Sequence, residues 1–257
     1  MTDTPHIAVD PERFAKVGRL ASGGHAPTDG EMCVMEAVAW VTHKDWSDHP
    51  PCVCPVIGAF MRSWNDGITD ADERTALLKP LIPKLINTRG SAALEQRRAT
   101  MAADWLIRVH TPAWLRLAKL DKQADLLTSL PQITDFAQCP SLVPTLTAVR
   151  ADAAAARAAA WAAAEDAARA AAGDAARAAA WAAAGDAAWD AAWDAARTAA
   201  GAAAWAAAGD AAWDAAWAAA GDALSKTKSE LQQSALALAE RMITAEEYSP
   251  GVPFPAG

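Results

Sequence analysis

The residues best suited to chemistry in this sequence lie in one short stretch, "HKDWSDHPPCVC", at positions 43–54. It places His43 and His49 close to Cys52 and Cys54, and imidazole and thiolate groups are common zinc ligands. The Cys-x-Cys spacing differs from that of a standard zinc finger, and the sequence has no second cysteine pair. The competing interpretation is two small buried thiols at a helix start, with Asp48 and His49 forming turn and cap hydrogen bonds. We expect this second arrangement and no cofactor, with a zinc site as the alternative.

Motifs with known catalytic or nucleotide-binding mechanics are missing from the sequence. It contains no phosphate-binding loop, dinucleotide fingerprint, His-Glu-x-x-His or Gly-x-Ser-x-Gly. Asp104 and Arg108 lie one helical turn apart and are expected to pair on a helix surface. We therefore name no catalytic residue and expect a protein that is not an enzyme.

The negative charge of the chain is concentrated in its second half. Residues 1–150 carry 16 Lys and Arg against 17 Asp and Glu, whereas residues 151–257 carry 7 against 14. This acidic excess would repel nucleic acid and anionic lipid, so neither is an expected partner. No apolar run reaches the roughly 18 residues of a membrane span, and no signal peptide pattern is found. Four cysteines are too few for a disulfide scaffold, which favours the cytoplasm.

The spacing of apolar residues and of helix-capping residues predicts an all-α protein. Several expected helix starts carry typical first residues: Pro55, Thr69 or Asp70, Ser91, and Thr111 followed by Pro112. The expected organisation is an irregular segment at 1–30, a self-contained all-α domain at 31–130, a linker at 131–144, a helical repeat region at 145–223, an amphipathic helix at 224–248 and a tail at 249–257.

A repeat of four residues dominates the second half of the chain. The text "WAAAGDAAWDAAW" occurs at 181–193 and again, unchanged, at 205–217. Ala fills about two-thirds of 151–220, and Ala is the best helix former. The repeat tryptophans, which we expect to be packing and interaction residues, are Trp161, Trp181, Trp189, Trp193, Trp205, Trp213 and Trp217.

The period of four does not match the helical period. Four residues turn an α-helix by about 400°, so a stripe at this spacing drifts by about 40° per tetrad. Gly-Asp pairs such as Gly185–Asp186 suit the end of one helix and the start of the next. We expect short stacked helices, with one long helix as the alternative. In both cases the indole rings need cover, which favours self-association or a protein partner.

Several stretches of the first half resemble an uncharacterised all-α module of actinobacterial and actinophage proteins. They are "MCVMEAVAWV", "DWSDHPPCVCPVIGAFMRSWND", "LIPKLINTRG" and "ADWLIRVHTPAWLRLA", within roughly residues 30–130. Several such proteins also end in an Ala/Trp-rich tetrapeptide-repeat tail. The resemblance implies a bacterial or phage cytoplasmic protein, and it carries no activity and no functional residue.

The repeat consists almost entirely of packing residues. The leading hypothesis is therefore a non-enzymatic interaction or assembly (scaffold) protein, with the tetrad region as its packing and self-association unit. The alternative is a small-ligand-binding or metal-dependent protein that uses the loop at 43–54.

Overall fold

The computed structural model describes residues 6–159, 162 and 224–246. These residues form helices joined by loops, with no strand among them, which confirms the all-α class. They divide into two compact units. The described residues of the first unit are 6–111, 128–141 and 230–246, and the second unit takes those at 112–127, 142–159, 162 and 224–229. In these ranges no helix has the length and apolar character needed to cross a membrane.

The helices are numbered here in chain order. The first six are α1 (Pro11–Lys16), α2 (Val34–Val41), α3 (Pro55–Gly67), α4 (Ala71–Leu78), α5 (Ile82–Leu85) and α6 (Ala92–Trp105). They are followed by a π-helical turn (Leu106–His110), α7 (Thr111–Leu117), α8 (Asp121–Thr128) and a short 3-10 turn (Phe136–Gln138). The last described helical stretches are α9 at 139–159 and α10 at 224–244.

Local capping chemistry explains where several helices begin. Pro55 occupies the first turn of α3, where its missing N–H costs no helical hydrogen bond. The Asp70 carboxylate accepts from the Glu73 N–H at 2.7 Å and caps α4. The Ser91 hydroxyl accepts from the Leu94 N–H at 3.2 Å and caps α6. These three predicted starts are confirmed.

Two prolines divide the helical stretch after α4. A 3-10 turn at Lys79–Leu81 follows α4 and precedes α5, and Pro80 and Pro83 each lie at the start of one of these segments. Proline is tolerated at a helix start because its N–H has no helical partner there, whereas inside a helix it removes a bond. The chain therefore restarts its helix twice.

The predicted helix start at Thr111 differs from the structure. Helical residues continue from α6 through the π-turn Leu106–His110 into α7, so Thr111 does not begin a separate helix. Its backbone N–H and its hydroxyl both donate to the Leu106 carbonyl, the hydroxyl at 2.7 Å. Pro112, next in the chain, has no N–H and would clash with the carbonyl of a regular α-turn. The wider π-turn accommodates the missing N–H of Pro112 and avoids this clash.

The N-terminal segment is less irregular than expected. It contains α1, which the Asp10 carboxylate caps by accepting from the Glu12 and Arg13 N–H groups. After α1, Val17 and Leu20 are each 1% exposed and belong to the core of the first unit. Part of the segment before residue 31 therefore belongs to the core of the first unit.

That core also includes one face of α10. Ala235, Leu238, Ala239 and Met242 are at most 3% exposed and join the same cluster as the buried residues of α2 and α3. The helix itself is the amphipathic helix expected near the C-terminus. What the sequence did not indicate is that its apolar face completes the core of the N-terminal helices.

A buried arginine ties the N-terminal segment to α3 and α4. Arg74 is 4% exposed, and its guanidinium donates to the carbonyls of Asn65 at 2.8 Å, Leu20 at 3.0 Å and Ile68. A guanidinium has five N–H donors in a fixed plane, so one side chain can satisfy several buried carbonyls at once. Arg74 thereby joins three separate stretches of backbone.

The described part of the second unit also contains buried apolar residues. Leu115, Leu127 and Val149 are each at most 7% exposed. A salt bridge between Arg116 and Asp125 at 2.8 Å lies on its surface. Of the repeat region predicted at 145–223, residues 145–159 and 162 are helical, and the rest, on which its two predicted arrangements depend, lies outside the described residues.

Candidate functional site

The structure gives His43 a role at the end of α2. His43 has a φ of 54°, the left-handed conformation that commonly follows the last turn of a helix. Its Nε2 lies 2.8 Å from the Asp10 carboxylate, and its side chain is 57% exposed. His43 therefore ends α2 and joins it to the cap of α1.

His49 pairs with its sequence neighbour. Its Nδ1 lies 2.6 Å from the Asp48 carboxylate, and its backbone N–H donates to the Ser47 hydroxyl at 2.9 Å. Arg62 on α3 holds the same turn by donating to the Asp48 carbonyl at 2.9 Å. These are the turn hydrogen bonds that the sequence analysis favoured for His49 and Asp48.

The two cysteines of the loop are buried at the start of α3. Cys52 is 6% exposed and Cys54 is 0% exposed, and both belong to the core of the first unit. The backbone N–H of Cys54 donates to the Thr88 hydroxyl at 3.1 Å. Burial raises the pKa of the Cys52 thiol, which disfavours the thiolate that zinc requires. This environment suits packing better than ligation.

A metal-binding arrangement needs several ligands that converge. Within residues 6–159 and 224–246, the structure contains no group of three or more His, Cys, Asp or Glu side chains placed to hold a metal ion. His43 and His49 each contact a different aspartate, as described above. The zinc alternative stays a prediction, and metal analysis of the purified protein is its test.

The structure contains a polar cluster that the sequence analysis missed. The Glu36 carboxylate, nearly buried, accepts from the backbone N–H groups of His25 at 2.6 Å and Cys33 at 2.7 Å. The His25 Nδ1 lies 2.9 Å from the same carboxylate, and Nε2 lies 3.6 Å from exposed Glu31. Trp46 donates from its indole to the His25 carbonyl at 2.6 Å. The cluster fixes the loop before α2 against the start of that helix.

One sequence signal could have revealed this cluster. Glu36 stands three residues after Cys33, which is the spacing of a capping box. Cysteine is an unusual capping residue, so the pattern was not recognised. In the structure the Cys33 sulfur accepts from the Glu36 N–H at 3.5 Å, and burial raises the pKa of the Cys33 thiol to about 12. Cys33 is therefore a neutral capping group.

The predicted pair of Asp104 and Arg108 is confirmed. Arg108 Nη1 lies 3.2 Å from one carboxylate oxygen of Asp104 and 3.3 Å from the other. Asp104 also accepts from the backbone N–H of Ile133 at 2.8 Å. The pair holds the segment after α8 to α6, which gives it a structural role in the first unit.

A second set of specific contacts in the first unit surrounds α10. We call the surface that receives this helix the α10 groove; its polar lining residues are Trp64, Lys84, Arg98 and Trp105. The Trp105 indole donates to the Ser234 hydroxyl at 2.7 Å, and the Trp64 indole donates to the Gln232 side chain. Both indoles thus have partners on α10.

Charged groups of the groove contact the C-terminal end of α10. Lys84 donates to the Glu240 carboxylate at 2.7 Å, with both side chains about half exposed. Arg98, which is 2% exposed, donates from Nε to the Met242 carbonyl at 2.7 Å. A helix leaves its last carbonyls without helical partners, and a cation there is favourable. Arg98 therefore caps the C-terminal end of α10.

An aromatic contact connects the two tryptophans of the groove. The Phe60 ring lies 5.8 Å from the Trp105 ring in an edge-on arrangement and 5.9 Å from the Trp64 ring. Such tilted pairs are the favoured geometry for aromatic rings. In the structure Trp64 and Trp105 thus pack among α3, α6 and α10.

The seven repeat tryptophans, named above as packing and interaction residues, lie outside the described residues. Comparison of the chain with protein-family models, with curated proteins and with solved structures finds no match. The resemblance to an actinobacterial and actinophage module stays a prediction.

Proposed function

We propose that this chain is a non-enzymatic interaction or assembly protein, in which the tetrad repeat is the self-associating part and the first unit is its helical base. The observation that carries the proposal is the fastening of α10. Arg98 and Lys84 hold residues that follow the repeat in the sequence, so the repeat is inserted within the first unit. An insertion is anchored on the same unit at both ends, which suits an assembly module better than a loose tail.

The composition of the insertion supports the same proposal. Every fourth residue of the repeat, counted from Arg157 to Gly221, is tryptophan, glycine or arginine, except for Glu165. Most of the residues between them are alanine, and aspartate often follows the counted position directly. A buried tryptophan removes about 150–250 Å² of surface from water, so seven of them favour packing against another surface. Cysteine, histidine, lysine and serine are absent from residues 157–221, which leaves the carboxylates as the main side chains there that could act in acid–base or nucleophilic catalysis.

The state of the cysteines fits a cytoplasmic location in a bacterium or a phage-infected cell. All four cysteines are free thiols, and three of them are buried. Free thiols persist in reducing compartments, whereas secreted proteins tend to pair them. We therefore include the cytoplasm in the proposal.

The mass of the full chain in solution tests the proposal directly. Light scattering across a concentration series is expected to give a mass above that of the 26.8 kDa monomer. A variant in which four repeat tryptophans become Ala is expected to shift toward the monomer; these are Trp189, Trp193, Trp213 and Trp217.

The matched control keeps the tetrads and changes their arginines instead. Arg157, Arg169, Arg177 and Arg197 become Lys, which preserves charge at four comparable positions. This variant is expected to keep the wild-type mass. A wild-type chain that stays monomeric at every concentration would remove self-association from the proposal.

A further inference from the structure

We propose that the α10 groove accepts α10 from a second copy of this chain, so that two copies exchange their C-terminal helices. The inference rests on the proposed function, because self-association of the repeat brings the second copy close. It goes beyond that function by naming the exchanged element and the surface that receives it.

The described contacts of α10 in the first unit are made with residues that precede the repeat in the sequence. They consist of one apolar face, with Leu238 and Met242 at its centre, and of the polar contacts from the groove. The polar contacts join residues before position 111 to residues after position 230. An α10 from another copy would therefore make the same contacts with the same geometry, which is the condition for domain swapping.

The length of the connection decides between the two arrangements. Residues 142–223 separate α10 from the preceding part of the first unit in the sequence, and the second unit takes in 142–229, which includes the first residues of α10. The effective concentration of the helix from the same chain at the groove falls as a connection lengthens beyond the span that it must bridge. Because the contacts are identical in both arrangements, a high local concentration of second copies is enough to populate the exchanged form.

One polar pair of the groove reports which copy supplies the helix. The Lys84 ammonium and the Glu240 carboxylate lie 2.7 Å apart, so a carbodiimide can join them in an amide bond without a spacer. Equal amounts of unlabelled and ¹⁵N-labelled full-length chains are unfolded together, refolded together and then coupled. Mass spectrometry of the digested protein shows whether the two linked peptides carry the same label or different labels.

The proposal predicts linked peptides that carry different labels, up to about half of all linked pairs, the statistical limit for complete exchange between two copies. Lys84→Arg and Glu240→Gln are the controls: each removes one of the two groups that the carbodiimide joins, so each is expected to abolish this product. The two charged groups are half exposed, so neither substitution should prevent folding.

The remaining outcomes separate this inference from the proposed function. Same-label pairs alone in an oligomeric sample overturn the exchange and leave self-association through the repeat intact. Same-label pairs in a monomeric sample overturn both. Mixed-label pairs that persist undiminished after the four tryptophan substitutions support the exchange, and they contradict the role given to the repeat.

Discussion

The Arg98 guanidinium donates to the Met242 carbonyl at 2.7 Å and to the Thr88 carbonyl at 2.5 Å, and the arginine is 2% exposed. Both acceptors are backbone carbonyls, so this buried cation satisfies two main-chain groups at once. A single side chain on α6 thereby holds the loop after α5 to the C-terminal end of α10. The integrity of the first unit depends on residues that lie far apart in the sequence.

Substitution of Arg98 by Met should destabilise the protein by about 2–4 kcal/mol. Methionine fills most of the volume, but it leaves two buried carbonyls without donors, and each costs about 1–3 kcal/mol. Urea unfolding followed by circular dichroism measures the change. Arg89→Met, at a half-exposed arginine paired with Glu95 at 3.5 Å, is the control and should cost less than about 0.5 kcal/mol. Equal effects of the two substitutions would contradict the capping role.

Leu238→Ala tests whether α10 belongs to the same cooperative unit as the N-terminal helices. Leu238 is 1% exposed, and removal of such a side chain from a core costs about 2–5 kcal/mol. Leu126→Ala, at a leucine that is 52% exposed, is the control and should have little effect. The total fluorescence of the 12 tryptophans should report the loss together with helix unfolding. A separate early transition for α10 alone would show that the helix is dispensable for the core.

Local features of this fold could be predicted from the sequence because they depend on neighbouring residues. The caps at Asp70 and Ser91 use a side-chain oxygen and an N–H three residues away. Pro55 marks the start of α3 through another local effect, because a proline in the first turn gives up no helical hydrogen bond. The turn hydrogen bonds of His49 and Asp48 are equally local.

Most of the features that were missed depend on residues distant in the sequence. The contact of Arg98 with Met242 joins positions 144 residues apart, and no spacing rule connects them. The left-handed turn of His43 and its contact with Asp10 depend on where α1 lies. At Thr111 the missed feature is local: its N–H and its hydroxyl donate to the Leu106 carbonyl, and the helix continues through a π-turn.

The charge of Asp10 should stabilise the fold except in acid. Hydrogen bonds from the Arg13 backbone N–H and from His43 hold the pKa of the Asp10 carboxyl below its ordinary value of 3.8. A lowered folded pKa contributes stability at pH above 3.8, and that stability is lost as the pH falls through the folded value. Asp10→Asn, which keeps a capping side chain, should therefore lower the Tm at pH 7, and the difference from wild type should shrink as the pH falls below 3.8 and through the lowered folded pKa, where the wild-type carboxyl becomes neutral.

Asp45→Asn is the control for this comparison, since Asp45 is an exposed aspartate two residues after His43. It should leave the Tm nearly unchanged both at pH 7 and in acid. A Tm difference for Asp10→Asn that is as large in acid as at neutral pH would assign its effect to lost packing instead of lost charge.

The four thiols should differ sharply in their reactivity. Burial raises the pKa of Cys33 to about 12 and raises that of Cys52, and a thiol reacts through its thiolate. In the native protein a maleimide should label Cys139 first, because it is the only one of the four that is not buried. Cys33, Cys52 and Cys54 should react only after unfolding. Protection of Cys52 and Cys54 that a chelator removes, with one zinc bound per chain, would instead support the metal-dependent alternative.

The register of the tetrad repeat provides the sharpest test of its role. Deletion of Trp181 to Ala204 removes one 24-residue period and joins Ala180 to Trp205, so the spacing of four is preserved. If each unit mainly contacts its neighbours, this variant should remain folded, helical and able to self-associate. Deletion of only Ala182 and Ala183 rotates every later residue of a helix by about 200° relative to those before it. The smaller deletion should therefore reduce the Tm and the solution mass more than the larger one. Equal tolerance of the two deletions would make the repeat a passive spacer and would remove the main support for an assembly function.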